Sequence, residues 1–228
     1  MIELKNVTKI YGKETVLDNL NLKFEQGKII GLLGPNGSGK TTILKLINDF
    51  IYPNSGEVLI NRLKPGKESK SIISYMPDKV SFLTNFKVNK IIYWYNEFFD
   101  DFDIDLAYKL LNEFEIDTNK RIYKLSKGQI EKVQLVITLS RKCQIYILDE
   151  PLGGIDPAAR DKILDIILDY FNPDSMMIIS THLIYDIEKI LDEIIFLKKG
   201  KVIMQDEADN IRNKYNKSID EVFREIFK

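Results

Sequence analysis

The sequence predicts an α/β protein built around a largely parallel sheet. Residues 28–34, KIIGLLG, form a nearly continuous apolar run, which is typical of a strand covered on both faces. A glycine-rich loop and a segment with helical periodicity follow it, giving the order strand, loop, helix. Strand-like and helix-like segments then alternate along the later part of the chain. Together these observations favour parallel strands joined by helices.

The other core elements follow from hydrophobic periodicity. Residues 2–7 and 20–24 alternate apolar and polar side chains, as half-buried strands do. The first helix is predicted to bury the apolar residues that follow the loop at helical spacing, before Pro53 stops it: Ile43, Leu44, Ile47 and Phe50. Further strands are predicted at GEVLI, SIISYM, IYILDE, SMMIIS and EIIFLK. Residues 158–171 and 183–191 are predicted to be helices between the later strands.

The middle of the chain has a different pattern. Between about residues 86 and 123 the strand signals stop, and two segments with helical period appear, IIYWYNEFF and DLAYKLLNEFEI. We therefore predict one domain over residues 1–228, with a helical subdomain at 86–134 inserted into an α/β core formed by 1–85 and 135–228. Residues from about 206 onward are expected to form two short charged helices.

Composition narrows the function classes. Lys and Arg total 33 and Asp and Glu total 34, so the net charge is −1. No block of basic residues is long enough to bind a nucleic acid, so a nucleic-acid partner is not expected. The only cysteine, Cys143, excludes an intrachain disulfide, fits a reducing cytosol and is expected to be a buried small hydrophobe. No signal peptide and no apolar run of about 18 residues is visible, so direct membrane insertion is not expected.

Residues 34–41, GPNGSGKT, match the phosphate-binding pattern G-x-x-x-x-G-K-[ST] between a strand and a helix. Glycines let backbone N–H groups surround phosphate oxygens, the lysine adds a positive charge, and the Thr41 hydroxyl is suited to Mg²⁺. The alternative is an ordinary glycine turn before a core helix. The predicted ATP-binding residues here are Gly34, Pro35, Asn36, Gly37, Ser38, Gly39, Lys40, Thr41 and Thr42.

An apolar strand at residues 144–148 ends in two acids, Asp149 and Glu150. The carboxyl end of such a strand is the usual ligand edge of a parallel sheet. We predict that Asp149 holds Mg²⁺ and that Glu150 deprotonates the attacking water. On this motif alone, a solvated acid pair in a turn before Pro151 remains an alternative.

Residues 125–129, LSKGQ, are similar to the LSGGQ signature of the ABC ATPase family, and the chain resembles that family over essentially its whole length. The resemblance implies a P-loop NTPase fold: a RecA-like core with an antiparallel β subdomain and an inserted helical subdomain. It also implies that Ser126, Gly128 and Gln129 contact ATP held by the other subunit of a head-to-tail dimer. Lys127 stands where the family commonly has glycine. Alone, LSKGQ favours an ordinary capped helix start, and its position just before the Asp149 strand is what supports the signature.

The resemblance extends to four single residues. Asp156 in GGIDP corresponds to the family's D-loop at the dimer seam, although Asp-Pro also starts many helices. His182, the only histidine, corresponds to the switch histidine that contacts the γ-phosphate and is expected, with Lys40 and Glu150, to be catalytic. Tyr11 resembles the aromatic that stacks on adenine, with hairpin packing as the alternative. Asp78 replaces the usual glutamine and is predicted to contact Mg²⁺, unless it is an ordinary loop aspartate.

The family resemblance implies an ATPase subunit that drives a separate membrane permease, held at the inner face of the cell membrane through that permease. Its partner cassette is a second copy or a homologous chain. Aromatic residues at 91–99 suggest a groove that docks the permease. The short helical subdomain suggests, by analogy alone, that the transporter exports peptide-like or drug-like cargo. Alternatives are a soluble ABC protein of translation, repair or cluster assembly, and a non-hydrolysing regulatory module, which Glu150 and His182 disfavour.

Overall fold

A mixed sheet forms the centre of the fold. The computed structural model describes residues 1–79 and 82–228. Within these ranges the sheet has the spatial order β5 (Ile73–Met76), β6 (Ile145–Asp149), β7 (Met176–Thr181), β3 (Ile29–Leu33), β8 (Glu193–Lys198) and β9 (Lys201–Glu207). Neighbouring strands are parallel except for β9, which pairs antiparallel with β8. The predicted α/β class is confirmed.

A second sheet is antiparallel and contains the start of the chain. Its order is β2 (Glu14–Phe24), β1 (Ile2–Tyr11) and β4 (Ser55–Ile60). Leu4 of β1 lies opposite Leu22 on one side and Val58 on the other, and all three side chains are buried. This sheet is the antiparallel β subdomain that the family resemblance implied.

The helices occupy the connections and the chain end. They are α1 (Lys40–Ile47), α2 (Lys67–Ser71), α3 (Val88–Phe98), α4 (Ile104–Glu113), α5 (Lys127–Leu139), α6 (Pro157–Tyr170), α7 (Ile184–Ile187), α8 (Ala208–Tyr215) and α9 (Ile219–Ile226). Short 3₁₀ helices cover Ile122–Lys124 and Glu188–Ile190. In the described residues, no helix has the length and apolar composition that crossing a bilayer requires.

The central sheet separates two hydrophobic clusters. Along β3, Ile30 and Leu32 point into the cluster shared with α1 and the antiparallel sheet. Ile29 and Leu33 belong to the other cluster, which includes the inserted helices, α6 and the chain end. Because a strand alternates its faces, a run of apolar residues supplies both clusters at once. This explains why residues 28–34 are apolar almost throughout.

Three predicted elements differ in the structure. The prediction that Phe50 lies on the first helix was wrong, because α1 ends at Ile47. Asp49 takes a left-handed conformation with φ 56°, and the Phe50 N–H returns to the Lys45 carbonyl at 3.0 Å. This capping turn ends the helix ahead of Pro53 and leaves Phe50 largely exposed.

A strand precedes the two charged helices that were expected from about residue 206. β9 was not predicted; it forms because Lys199 and Gly200 both have positive φ and close a two-residue hairpin between Lys198 and Lys201. The two helices after it, α8 and α9, agree with the prediction. The helix expected over 183–191 is shorter, with one turn of α-helix followed by a 3₁₀ turn.

The helical subdomain begins near the expected position, with α3 and α4 inside residues 86–134. Its predicted end cuts through α5, which continues to Leu139 and packs against β5. The boundary at 134 therefore remains a prediction. Residues 80 and 81 of the loop after Asp78 lie outside the described residues.

Candidate ATP site

The loop between β3 and α1 surrounds an anion-sized space with main-chain groups. Gly37 and Gly39 have φ of 77° and 108°, which side chains with a Cβ rarely adopt. Gly39 caps α1 without any side-chain hydrogen bond, so the first N–H groups of the helix remain available. The buried Ser38 hydroxyl has no hydrogen-bond partner in the described residues. These features fit a bound phosphate.

Lys40 is buried at the start of α1. Its Nζ atom donates to the Gly34 carbonyl at 2.7 Å and to the Pro35 carbonyl at 3.3 Å. Burial lowers the pKa of Lys40, while the charges of Glu150 and Asp149 oppose that shift. The ammonium group therefore lies inside the loop, close to two carboxylates.

Asp149 ends β6 beneath this loop and is almost fully buried. The Ser180 hydroxyl of β7 donates to its Oδ1 atom, whereas Oδ2 has no partner in the described residues. Burial raises the pKa of Asp149, and the hydroxyls of Ser180 and Thr41 partly offset the rise. A buried carboxylate oxygen without a protein partner is costly, so its position next to Thr41 suits a cation ligand.

Glu150 follows in a left-handed conformation with φ 55°, a strained state for a residue with a side chain. Its Oε2 atom accepts from the Thr181 hydroxyl at 2.9 Å and lies 2.9 Å from His182 Nδ1. The pairing of Asp149 with Ser180 across β6 and β7 brings these residues together. None of these contacts uses Oε1. Within the described residues, the carboxylate is therefore held at Oε2, and Oε1 has no hydrogen bond to the protein.

These groups line one cavity of about 430 Å³. The predicted site residues on its wall are Asn36, Gly37, Ser38, Gly39, Lys40, Thr41, Thr42, Asp78, Glu150 and His182. Sequence reasoning missed three other lining residues, Glu14, Val16 and Glu131, and named Lys127 and Gly153 only as members of the LSKGQ and GGIDP motifs. Among these residues a sequence signal existed only for Lys127 and Glu131, because opposite charges four residues apart lie side by side on one face of a helix. Gly34 and Pro35 are not part of the wall, but their carbonyls accept hydrogen bonds from Lys40. Asp149 is buried behind the wall.

Comparison with known proteins identifies the family. The family description "ABC transporter" matches residues 17–153. The ABC transporter ATP-binding protein YtrB of Bacillus subtilis is 32% identical, over 95% of this chain and 75% of that protein. The chain belongs to the ABC transporter family. It is an ATP-binding subunit with ATPase chemistry, as the motifs predicted.

Other ABC proteins extend the comparison. The lantibiotic transport ATP-binding protein SrtF of Streptococcus pyogenes is 29% identical over 93% of both chains. The zinc import ATP-binding protein ZnuC of Wigglesworthia glossinidia brevipalpis is 32% identical over 88% of this chain and 84% of that protein. Among solved structures, an ATP-binding subunit of an ABC transporter aligns over 100% of both chains with TM-score 0.87 and 24% identity.

ABC cassettes form dimers, and one solved dimer is similar to this chain. The dimeric bacterial cassette MJ0796 aligns with TM-score 0.78 and 26% identity, over 91% of this chain and 98% of that one. ABC ATPase subunits work with membrane permease components.

The ABC signature segment lies outside the subunit's own cavity wall, except for Lys127. Ser126 caps α5: its hydroxyl accepts from the Gln129 N–H at 3.2 Å, and the Gln129 side chain accepts from the Ser126 N–H at 3.0 Å. Asp156 likewise caps α6 by accepting from the Ala159 N–H at 3.1 Å. The local capping role of these residues is therefore present in the subunit by itself.

Tyr11 is also absent from the cavity wall. Its ring is 45% exposed at the end of β1, with Lys9 Nζ 5.1 Å from the ring centroid. An adenine-stacking role for Tyr11 stays a prediction. The exposed ring offers a free face, and Glu14 and Val16 of the adjoining strand do line the cavity.

Proposed function

We propose that this ABC ATPase hydrolyses Mg·ATP within a head-to-tail dimer and drives a separate membrane permease from the cytoplasmic face. The observation that carries this proposal is the arrangement of the two acids within the described residues: Asp149 has an unpartnered buried oxygen, and Glu150 is held at Oε2 with no hydrogen bond to the protein at Oε1. The first suits a cation and the second suits a general base. The Glu150 substitution in the Discussion tests it.

The residues present fit Mg²⁺. The ion prefers hard oxygen ligands, and the Thr41 hydroxyl and Asp149 carboxylate provide them beneath the phosphate-binding loop. Asp78 lines the same cavity, and its charge raises the pKa of Asp149 further. When bound, Mg²⁺ would neutralise phosphate charge and relieve the cost of the buried carboxylate. Lys40 would add a second positive charge at the phosphates.

The position of the signature segment supports the head-to-tail arrangement. Ser126 is exposed at the start of α5, and Gly128 and Gln129 are half-buried. Because none of the three reaches its own cavity wall, we infer that they face ATP held by the partner. The partner is a second copy or a homologous cassette, and Asp156 would lie near the seam.

Asp78→Gln tests the departure from the family pattern. The amide is longer and neutral, so a metal contact made by the Asp78 carboxylate should weaken. We expect a several-fold change in the permease-coupled rate, worth about 1 kcal/mol, and a smaller change in basal turnover. The measurement is ATPase activity against Mg²⁺ and Mn²⁺ concentration, with and without reconstituted permease. Identical metal curves and coupled rates would make Asp78 an ordinary loop residue.

A groove beside the Asp78 segment supports docking of the permease. It has a volume of about 290 Å³, and its wall includes Phe50, Tyr75, Phe82, Tyr95 and Phe99. Of the aromatic segment singled out in the sequence, Ile91 and Ile92 are buried. Tyr95 and Phe99 are half-buried and stack with centroids 5.6 Å apart, and Tyr93, Trp94 and Phe98 are exposed. Part of this aromatic surface is therefore available for a partner helix.

Phe50→Ser should weaken permease coupling while basal ATPase activity stays unchanged. Losing contact with one phenyl ring costs about 1.5–3 kcal/mol, so the permease concentration giving half-maximal stimulation should rise at least about tenfold. Leu63→Ser is a matched control, because both side chains are 58% exposed and Leu63 lies outside the groove wall. If the permease stimulates the two variants equally, the groove is not the docking site.

For the cargo we propose export of a peptide-like or drug-like compound. The name of SrtF, which mentions lantibiotic transport, supports a peptide-like cargo, whereas the name of ZnuC mentions zinc import. The deciding measurement is ATP-driven transport in inside-out vesicles containing the cognate permease. Accumulation inside such vesicles is expected for an exporter, and ATP-dependent efflux from them would reverse the assignment.

A further inference from the structure

The start of α5 touches the loop behind Glu150. At Gly128 an added Cβ would lie 3.1 Å from the Gly154 carbonyl, so the two glycines pack backbone to backbone. At Gly154 the three atoms nearest to an added Cβ all belong to the Glu131 carboxylate, and it would overlap them. This contact joins α5 to the loop from Glu150 to Ile155.

Glu131 is an unusual residue for this position. It is 7% exposed, and its Oε2 atom has no hydrogen-bond partner among the described residues. Its Oε1 atom lies 3.6 Å from the Nζ of Lys127, whose side chain is 79% exposed. Burial raises the pKa of Glu131, and this outweighs the charge of Lys127 and a backbone hydrogen bond from Gly154, which both lower that pKa. An exposed, distant lysine and one backbone N–H compensate a buried carboxylate only in part. The fold therefore keeps Glu131 at a cost in stability, which points to a role other than stabilisation.

The loop that Glu131 touches is short and closed. The Gly153 N–H donates to the Glu150 carbonyl at 3.1 Å, and the Ile155 N–H donates to the Leu152 carbonyl at 3.3 Å. A shift of Gly154 therefore moves a compact turn whose first residue is Glu150. Because Glu150 is in a strained left-handed conformation, its side-chain position depends on how this turn is held.

We propose that Glu131 is a positioning residue. It couples the position of the start of α5, which depends on the partner's ATP, to the position of Glu150 in its own subunit. The inference rests on the proposed head-to-tail dimer. There the start of α5 faces the partner's ATP, whereas Glu150 serves the ATP bound to its own subunit. Nucleotide in one site thus sets the catalytic carboxylate of the other, through Gly128, Glu131 and Gly154.

Single variants test whether Glu131 acts on turnover rather than on folding. Glu131→Ala should lower kcat about tenfold without weakening ATP binding by the isolated subunit, because the substitution removes a negative charge from the cavity wall. Glu131→Gln keeps the shape and one acceptor oxygen, so it should recover most of the activity. Glu68→Ala, at an exposed glutamate of α2, is the matched control and should behave like wild type. A parallel loss of ATP affinity, or equal impairment in the alanine and glutamine variants, would overturn the proposal.

Gly154→Ala provides a second route if Glu131→Ala folds poorly. Gly154 does not have positive φ, so alanine is permitted by the backbone and its clash is with Glu131. The single variant should lower kcat, and adding it to Glu131→Ala should cause little further loss. Additive losses in the double variant would mean that the two residues do not act through each other.

Mixed dimers decide the direction of the effect. In the first, one subunit has Glu131→Ala and its partner has Glu150→Gln, so the remaining Glu150 lies in the same chain as the altered residue. In the second, both substitutions lie in one chain and the other is wild type. Single-turnover hydrolysis should be slow in the first dimer and near normal in the second. The reverse pattern, or equal rates, would overturn the proposal. If Glu150→Gln subunits do not dimerise at all, the proposed dimer fails instead.

Discussion

Glu150→Gln is expected to bind ATP, to lose hydrolysis and to accumulate as a dimer. The amide retains an oxygen for the Thr181 hydroxyl and His182, but it cannot take a proton from water. Losing a general base lowers rates by about 10²–10⁴-fold, so turnover should fall to near background. With hydrolysis blocked, Mg·ATP should remain between the two subunits. Size-exclusion chromatography and phosphate release measure the two effects.

The control for this variant is Glu68→Gln, which makes the same chemical change at an exposed position. It should hydrolyse ATP at the wild-type rate and show no stable dimer. If Glu150→Gln stays monomeric at saturating Mg·ATP, the sandwich mechanism is contradicted. If it still turns over rapidly, Glu150 is not the base.

Lys40→Ala is expected to weaken ATP binding strongly and to lose turnover while the fold survives. The ammonium group of Lys40 lies inside the phosphate-binding loop, and no other lysine or arginine on the cavity wall belongs to that loop. Losing a charge-assisted contact to phosphate costs about 1.5–3 kcal/mol, so ATP affinity should fall at least about tenfold. Titration with a fluorescent ATP analogue measures the affinity, and circular dichroism checks the fold.

Lys45→Ala is the matched control, because Lys45 is exposed in the last turn of the same helix. It removes an identical side chain without touching the loop, so ATP affinity should not change. If the Lys40→Ala subunit folds and binds ATP with wild-type affinity, residues 34–41 do not form the phosphate-binding site.

Local sequence rules predicted the parts of the site that lie on one segment. The loop at 34–41 has its glycines where left-handed turns need them, and Asp149 and Glu150 end a buried strand. The same rules failed at Phe50, where apolar spacing continued after a capping turn had ended the helix. Periodicity reports which residues are apolar, whereas the left-handed Asp49 decides where the helix stops.

Contacts between distant segments were beyond single-segment reasoning. The contacts of Glu150 with Thr181 and His182 depend on the register of β6 against β7. That register places Asp149 opposite Ser180, so the residues that follow in each strand also lie close together. Glu131 gave no sign of burial, because residues 127–132 have the polar pattern of an exposed helix start. Its carboxylate lies against Gly154, a contact with a later segment of the chain that the helix pattern does not reveal.

The order of strands in the central sheet has a consequence for synthesis on the ribosome. β3, which precedes the phosphate-binding loop, pairs with β7 and β8, and both are translated in the last quarter of the chain. The Gly200 N–H then donates to the Ser38 carbonyl at 2.9 Å, behind the loop. A nascent chain therefore cannot complete the sheet behind its nucleotide pocket until β7 and β8 have emerged. Such late, long-range closure makes folding slow and leaves the apolar β3 segment in need of chaperone protection.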